Sequence, residues 1–365
     1  MSKAAELAKW GEVSTNGQVS GRRNIIINGA MNVAQRATST TGIGANGNVF
    51  VVDRFKTFAS STAGRATVSQ TADGPSGFAN CLKLDCTTAD TSIAAAEFFG
   101  VAYDFEGQDL QQLKKGTSDA EKVTLSFYVK GNAAATYTCE LKDNDNTRII
   151  AQTFAVTTSW NEIVLTFNAD TTGALDDDNA SSLSLNIWLH AGSTYNGGTF
   201  ASNVWASQTI ANRVADETSF FDSTDREFFI TGVQLEVGSV ATPFEHRSFG
   251  EELALCQRYF QELCSGASAN SIANVSYYTA TEAFGHISLI TEMRAAPTIA
   301  VANVAHFKVY SNGSGEDTTN LSASGASLAK KAVEISMVTG AATAGHSGFV
   351  RTNNTASSIR LSAEL

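Results

Sequence analysis

The sequence predicts an all-β chain: an N-terminal jelly-roll β-sandwich over 24–246, one connecting α-helix over 247–265 and a smaller C-terminal β-sandwich over 266–365, preceded by a short N-terminal helix and linker in 1–23. Three observations carry this expectation. Apolar residues recur with a period of two in many short runs, which places alternate side chains on one face of a strand. Polar turns rich in Gly, Asn and Asp separate the runs. A single stretch, starting at Ser248, shifts to a period of three to four. Composition agrees, because 17% charged residues and 3 prolines leave small polar side chains on surfaces where helical bundles carry Glu, Lys and Arg. A chain of 365 residues suits two domains of about 100–200 residues each.

Ser2 to Trp10 reads as a short helix, with Ser2 as cap, Leu7 and Trp10 on one stripe and Gly11 as the stop. A segment this short does not hold a helix alone in water. It is either a frayed terminus or an anchor that folds onto a neighbour through Leu7 and Trp10. Gly11 to Arg23 reads as a linker.

Asn24 to Asn28 is a short buried strand closed by the turn pair Asn28-Gly29. Val123, Leu125, Phe127 and Val129 alternate with Thr124, Ser126, Tyr128 and Lys130. Ile163, Leu165 and Phe167 repeat the pattern, and so do Leu183, Leu185, Ile187 and Leu189 against Ser184, Asn186, Trp188 and His190. Phe229, Val233, Leu235 and Val237 close the series. Many short strands with turns such as Lys142–Thr147 and Thr171–Ala180 predict two packed antiparallel sheets.

Ser248 to Glu251 is a capping box, in which the hydroxyl and the carboxylate satisfy each other's backbone amides. Phe249, Leu253, Cys256, Phe260 and Leu263 then form one helical stripe ended by Gly266. Such a stripe fits a seam between three like helices, and it equally fits packing on the chain's own sandwich. Alternation returns at Ile287 and Leu289, Ile299 and Val301, Phe307 and Val309, Val333 to Met337, and Ile359 and Leu361, with Asn312-Gly313 and Asn353-Asn354 as turns.

Catalytic and metal motifs are largely missing. Gly42, Gly44 and Gly47 match the letters of a dinucleotide fingerprint but lie between β-like runs, so they read as a loop. Gly345 to Gly348 lacks the closing glycine and the strand-to-helix setting of a nucleophile elbow. The histidines are scattered and give no zinc spacing. Asp143 to Asn146 and Asp176 to Asn179 supply oxygen ligands of the type calcium takes, yet without an EF-hand pattern they read as solvated turns. A net charge of −11 disfavours nucleic acid, whose binding needs clustered Lys and Arg. Five cysteines without regular spacing read as free buried thiols made in a reducing cytoplasm. Nothing resembles a leader, and no apolar run reaches the about 18 residues of a membrane span.

The positive signal is aromatic. Trp188 and Tyr128 fall on the polar faces of their strands, where large rings are unexpected unless something covers them. With Asn186 and His190 on the Trp188 face, these four form a candidate sugar-binding set, since sugar C–H faces stack on rings and amides hold hydroxyls. The competing reading is that a loop or a neighbouring subunit buries the rings.

Three segments together carry a family resemblance. Asn24-Ile-Ile-Ile-Asn-Gly-Ala-Met31, Val33-Ala-Gln-Arg36 and Asp53-Arg-Phe55 resemble the opening of many tailed-bacteriophage fibre and virion structural proteins. Phe229-Ile-Thr-Gly-Val-Gln-Leu-Glu-Val-Gly238, Thr242-Pro-Phe-Glu245 and Leu255-Cys-Gln-Arg-Tyr-Phe260 resemble the close of the same module, and Glu292-Met-Arg-Ala-Ala-Pro-Thr298 the start of its C-terminal β domain. The resemblance implies a jelly roll similar to carbohydrate-binding modules, a homotrimer, contacts with other virion proteins and binding of host-surface polysaccharide. It implies no catalytic residues and no membrane insertion, and a virion location after synthesis in the host cytoplasm. It implies no cofactor beyond a structural calcium near Asn28 or Glu236. The alternative is a capsid or tail decoration protein with no receptor role; a glycan-degrading enzyme is disfavoured because no nucleophile motif or acid pair is visible.

Overall fold

Strands that alternate apolar and polar residues need a second sheet to cover the apolar side, and the chain supplies one in each of its two units. The computed structural model describes Lys3 and residues 22–365 apart from Ala267, Ala329 and Ala341, with the backbone alone at 265 and 323–328. The expected helix at Ser2–Trp10, with Leu7 and Trp10, otherwise lies outside the described residues. Contacts divide the chain into Met1–Glu252 with Leu365, and Leu253–Glu364.

The first unit contains β1 (Ser39–Ile43), β2 (Asn46–Phe50), β3 (Lys56–Ser60), β4 (Arg65–Thr71), β5 (Cys81–Thr88), β6 (Phe98–Glu106), β7 (Val123–Gly131), β8 (Ala135–Asp143), β9 (Arg148–Val156), β10 (Asn161–Phe167), β11 (Ser181–Ala191), β12 (Ala206–Ser207) and β13 (Glu227–Val237). They form a jelly-roll sandwich of a six-stranded sheet, β1-β4-β5-β13-β7-β10, and a seven-stranded sheet, β12-β9-β8-β11-β6-β3-β2. The period-two residues set the register: Leu125 lies opposite Leu165 and Phe127 opposite Ile163. In the other sheet Leu185 lies between Tyr103 and Leu141, and Ile187 between Val101 and Cys139. These inward rows from both sheets make one buried core. At about 25 cal/mol per Å² of apolar area, that core is the main source of the unit's stability.

Asn24–Asn28 corrects the sequence expectation. It joins no ladder; Ile25 N donates to Leu235 O at 3.0 Å and Val233 N to Gly29 O at 2.9 Å, so it lies along β13 by isolated bonds. Asn28, at φ +62°, spends its side chain on Val33 N, Val33 O and Asp53 O. Glu236 accepts from Gln234 Nε2 and from the Thr242 amide and hydroxyl. Both residues near which the resemblance places a calcium thus have their side chains bonded within the protein. Gly42–Gly47 spans the connection from β1 to β2, with no helix after it.

Asp143 also departs from expectation, for it is fully buried and not part of a solvated turn. The ammonium of Lys115 lies 2.5 Å from Asp143 Oδ2 and 3.0 Å from Asp170 Oδ2, and donates to the carbonyls of Thr172 and Gly173. Arg148 adds a fork onto Asp170 at 2.8 and 3.1 Å. Burial alone would raise the Asp170 carboxyl; bonds from Arg148 and Lys115 reverse this and hold it below its ordinary value. A lysine thus takes the place a cation would take in this loop cluster. Asp176 to Asp178 remain exposed.

The helix α2 covers Phe249–Gln257 and is shorter than the stripe predicts; α1 (Ser193–Asn196) is a single turn in the first unit. Ser248 Oγ accepts from Glu251 N at 3.3 Å, half of the expected capping box, while the Glu251 carboxylate turns to Arg22 at 2.6 Å. Phe260 and Leu263 fall on a strand, β14 (Phe260–Ser265), so they cannot share a helical seam with Phe249, Leu253 and Cys256. The cause is an available ladder: Phe260, Gln261 and Glu262 pair with Ser362, Leu361 and Arg360. Tertiary pairing outweighs the local helical period. Cys256 and Phe260 are buried and Phe249 is exposed.

The second unit continues with β15 (Ser271–Tyr277), β16 (Glu282–Ser288), β17 (Thr298–Val301), β18 (Phe307–Ser311), β19 (Ser314–Asp317), β20 (Asn320–Leu328), β21 (Ala332–Val338), β22 (Ser347–Thr352) and β23 (Ser358–Ser362). A seven-stranded sheet, β19-β18-β22-β15-β16-β21-β20, and a three-stranded one, β14-β23-β17, share a core of Tyr277, Phe307, Ile335, Val350 and Ile359. Asn312 and Gly313, both at positive φ, make the two-residue hairpin expected of that pair. The five cysteines are free, and burial raises the Cys86 thiol to about 11. Among the described residues no helix is long and apolar enough to cross a membrane.

Lys115→Met should lower the stability of the first unit by about 3–5 kcal/mol, because it leaves a buried Asp143 without its cation. Urea unfolding followed by Trp fluorescence measures this; a loss under about 1 kcal/mol would show that water reaches the cluster.

Candidate functional site

β11 is buried on both sides, and its outward residues Ser184, Asn186 and Trp188 must find partners within the protein. Ser184 turns to Asp104, and Glu140, outward on β8 and fully buried, serves Asn186 and Trp188. Glu140 accepts from Asn186 Nδ2 at 2.9 Å and Trp188 Nε1 at 3.2 Å, and Arg213 forks onto it at 2.8 and 2.6 Å. Four donors on one carboxylate fix the amide, the indole and the guanidinium together. The Arg213 guanidinium then lies over the Trp188 ring at 4.7 Å.

Three further rings surround Trp188. Phe58 meets it edge-on at 5.1 Å, Tyr195 of α1 lies at 5.4 Å and Phe98 at 5.9 Å. Gly100, opposite Trp188 on β6, makes room for Phe58: a Cβ there would lie 2.6 Å from the Phe58 ring and 2.2 Å from Ile187 O. The result is a groove of about 490 Å³ on the outward face of the seven-stranded sheet. Phe58, Phe98 and Tyr195 show part of their rings to it, and Asn48, Gln208, Lys56, Lys142 and Arg213 line it with polar groups. Asp104 is tied to Lys56 and Ser184. Burial, with Arg213 nearby, lowers the Lys142 ammonium from its ordinary value.

The structure separates the residues singled out from sequence. Asn186 and Trp188 do meet in the groove, but Trp188 is only 2% exposed, so its face is covered by Arg213 and its ring neighbours within the same chain. Tyr128 lies on the outward face of the other sheet, packed on Phe78 at 5.4 Å beside Phe244 and His246. Gly232, at φ +64°, lets that cluster close, since a Cβ would come within 2.7 Å of Phe78 and 2.9 Å of Tyr128. Tyr128 therefore cannot share a site with Trp188. His190 is fully buried beyond a bulge in β11 and does not line the groove; burial pushes it down to about 4, so it is neutral at pH 7.

Phe58, Phe98, Tyr195, Glu140 and Arg213 were not singled out from sequence. A glutamate in mid-strand between Cys139 and Leu141 was the one available signal, because a carboxylate there needs a cation or several donors.

The segment that carries Arg213 is itself anchored by burial. Ala215 N donates to Thr138 Oγ1 at 3.2 Å and Thr218 N to Thr136 O at 3.1 Å. Both carboxyl oxygens of Glu217 are buried beside Thr138, and desolvation outweighs the Thr138 contacts and raises this group well above its ordinary range.

What the groove can do follows from its parts. Partly exposed rings offer flat apolar contact, and fixed amide and cationic groups offer directed hydrogen bonds at the rim. Both carboxylates near its floor, Glu140 and Asp104, are already bound by donors.

No protein-family model and no curated protein matches the sequence. Similar solved structures include the family 11 carbohydrate-binding module from Clostridium thermocellum in complex with a β-1,3-1,4-mixed-linked tetrasaccharide, at 12% identity over 56% of this chain and 99% of that one with a TM-score of 0.28. The family 22 xylan-binding domain from Paenibacillus barcinonensis is 13% identical over 61% and 100%, TM-score 0.30. The enzymatically active domain of bacteriophage CBA120 tailspike protein 4 is 11% identical over 59% of this chain and 21% of that one, TM-score 0.31. At such identities and TM-scores no residue of the groove is assigned from them.

Glu217→Gln should stabilise the protein increasingly as pH rises. A carboxyl raised by burial contributes its full stability below its unfolded value of about 4.5 and loses it as pH rises through the folded value. Wild type and variant should therefore match near pH 4 and diverge in favour of the variant by pH 8 in urea titrations. Parallel curves would show that Glu217 ionises without cost.

Proposed function

We propose that this chain is a non-enzymatic virion structural protein of tail-fibre type that holds host-surface polysaccharide in the groove on its N-terminal sandwich. One observation carries the reading: a groove floored by partly exposed Phe58, Phe98 and Tyr195 and rimmed by amide and cationic side chains that a buried carboxylate holds rigid. Sugars need this pairing of flat apolar contact with fixed polar groups, and rigid groups lose little entropy on binding. The resemblance of the opening and closing segments to phage fibre proteins supports the virion setting. In that setting the N-terminal segment attaches to the particle and three copies associate, so that weak single sites gain by multivalency.

Trp188 bears on the decoration-protein alternative. Its cover comes from the same chain, so the ring needs no neighbouring subunit to bury it. Its removal would also unseat Arg213, which makes Phe58 and Tyr195 the better probes.

A panel of bacterial surface polysaccharides titrated onto the purified chain should reveal binding that Phe58→Ala and Tyr195→Ala each weaken by about tenfold or more, with the thermal midpoint little changed. Light scattering should report trimers. A monomer at micromolar concentration that binds no envelope fraction would overturn the proposal, and shortened glycan chains after incubation would overturn its non-enzymatic part.

A further inference from the structure

Beside the groove three buried side chains converge, and one of them keeps a ring nitrogen without a partner. Asp90, Glu97 and His190 are at most 6% exposed, and one ligand atom from each lies within 4.8 Å of the other two. Among the described residues neither carboxylate forms an ion pair with a lysine or an arginine. Arg65, whose segment passes nearby, gives its guanidinium to the carbonyls of Thr62 and Gly64 instead. Asp90 is held by Thr62 Oγ1 and the amides of Ala63, Gly64 and Ser92, and Glu97 by the amide of Ala94.

The imidazole supplies an independent observation. His190 Nδ1 lies 2.7 Å from Ser219 Oγ, which also accepts from Phe221 N at 3.0 Å. His190 Nε2 is buried with no hydrogen-bond partner and faces Glu97 Oε2 at 3.7 Å, too far for a hydrogen bond. A buried polar atom left in this way costs about 1–3 kcal/mol, so native proteins rarely leave one without a reason.

We infer that Asp90, Glu97 and His190 form a site for one divalent transition-metal ion of the zinc class. Two carboxylates and one imidazole suit zinc and its first-row neighbours, whereas calcium takes six to eight oxygens and has little use for a ring nitrogen. Ser219 on Nδ1 is the outer contact that aims Nε2 at an ion. Ligands at about 2.0–2.2 Å from zinc lie within about 3.5 Å of each other, so the three side chains close by about one ångström on binding, and water completes the shell. The site is separate from Asn28 and Glu236. It also braces the groove, because Gly192 N donates to Glu97 O at 2.8 Å and Thr194 N to Ala95 O at 2.9 Å, where α1 begins and Tyr195 follows. The inference does not depend on what the groove binds.

The test uses the full chain stripped with a chelator and dialysed. Zinc(II) should bind at one equivalent and raise the thermal midpoint by at least about 4 °C at hundredfold excess over its dissociation constant, while calcium and magnesium do neither. Cobalt(II) should give d–d absorption without the charge-transfer bands of thiolate ligation. Glu97→Gln and His190→Gln should each weaken zinc binding by about a hundredfold. Should either variant fail to fold, long-range proton–nitrogen spectra of the wild-type imidazoles decide: one of the five histidines, the slowly exchanging buried one, should shift on adding zinc. No stoichiometric zinc, thiolate bands, unchanged affinity in the variants, or shifts confined to exposed histidines would each overturn the site.

Discussion

The outward faces of the two central strands, β11 and β13, are dry. An antiparallel sandwich commonly wets its outer faces, and the alternation along these strands is written as if it would. Here the polar residues on both are covered by the chain's own segments, so each must be satisfied from within the protein. On β13 the arrangement closes locally: Gln234 and Glu236 bond each other and Thr242, and Thr231 reaches Asn80 O. On β11 it closes through Glu140, and the groove exists because that solution needs Arg213 to be brought over the sheet.

The same constraint explains why the two ends of β11 differ. Where Asn186 and Trp188 face Glu140, one anion meets four donors and the cluster is complete. Past the bulge, two anions meet an imidazole whose inward nitrogen is neither donor nor acceptor to anything. Buried polar clusters stabilise when every member is satisfied and destabilise when one is not. The contrast between a saturated cluster and one with an orphaned nitrogen, a few residues apart on a single strand, is the physical basis of the metal site inferred at Asp90, Glu97 and His190.

Inward rows were legible in the sequence because the signal for them is local. Leu183 to Leu189 and Val123 to Val129 alternate, and a period of two has no other economical use. Outward faces were not legible, because polar letters look the same whether water or a distant loop satisfies them; Arg213 is 73 residues from Glu140. Trp188 and Tyr128 looked alike for this reason and proved to lie on opposite sheets. The stripe from Phe249 to Leu263 misled for a related one: helical spacing is local, but the ladder from Phe260 to Glu262 uses the last strand of the chain, almost a hundred residues on. Lys115 bridging Asp143 and Asp170 was equally out of reach, since nothing in a turn-like Asp-Asn cluster announces a lysine from another loop.

Floor and wall of the groove are held by different kinds of bond, and this shapes what binding there involves. The floor belongs to β3, β6, β8 and β11, whose ladders fix Phe58, Phe98 and Asn186. The wall belongs to the segment from α1 to Ala215, where helix and strand are short and the ties run to several separate elements: Arg213 on Glu140, Ala215 N on Thr138, Asn203 N on Ala151 O, Gln208 N on Thr147 O, and the first turn of α1 on residues 95 and 97. A ligand lying on Phe58 and Phe98 while touching Tyr195 and Arg213 would bridge the ladder-held floor and the separately tied wall, and it would tighten the wall only as far as its contacts favour one arrangement over another.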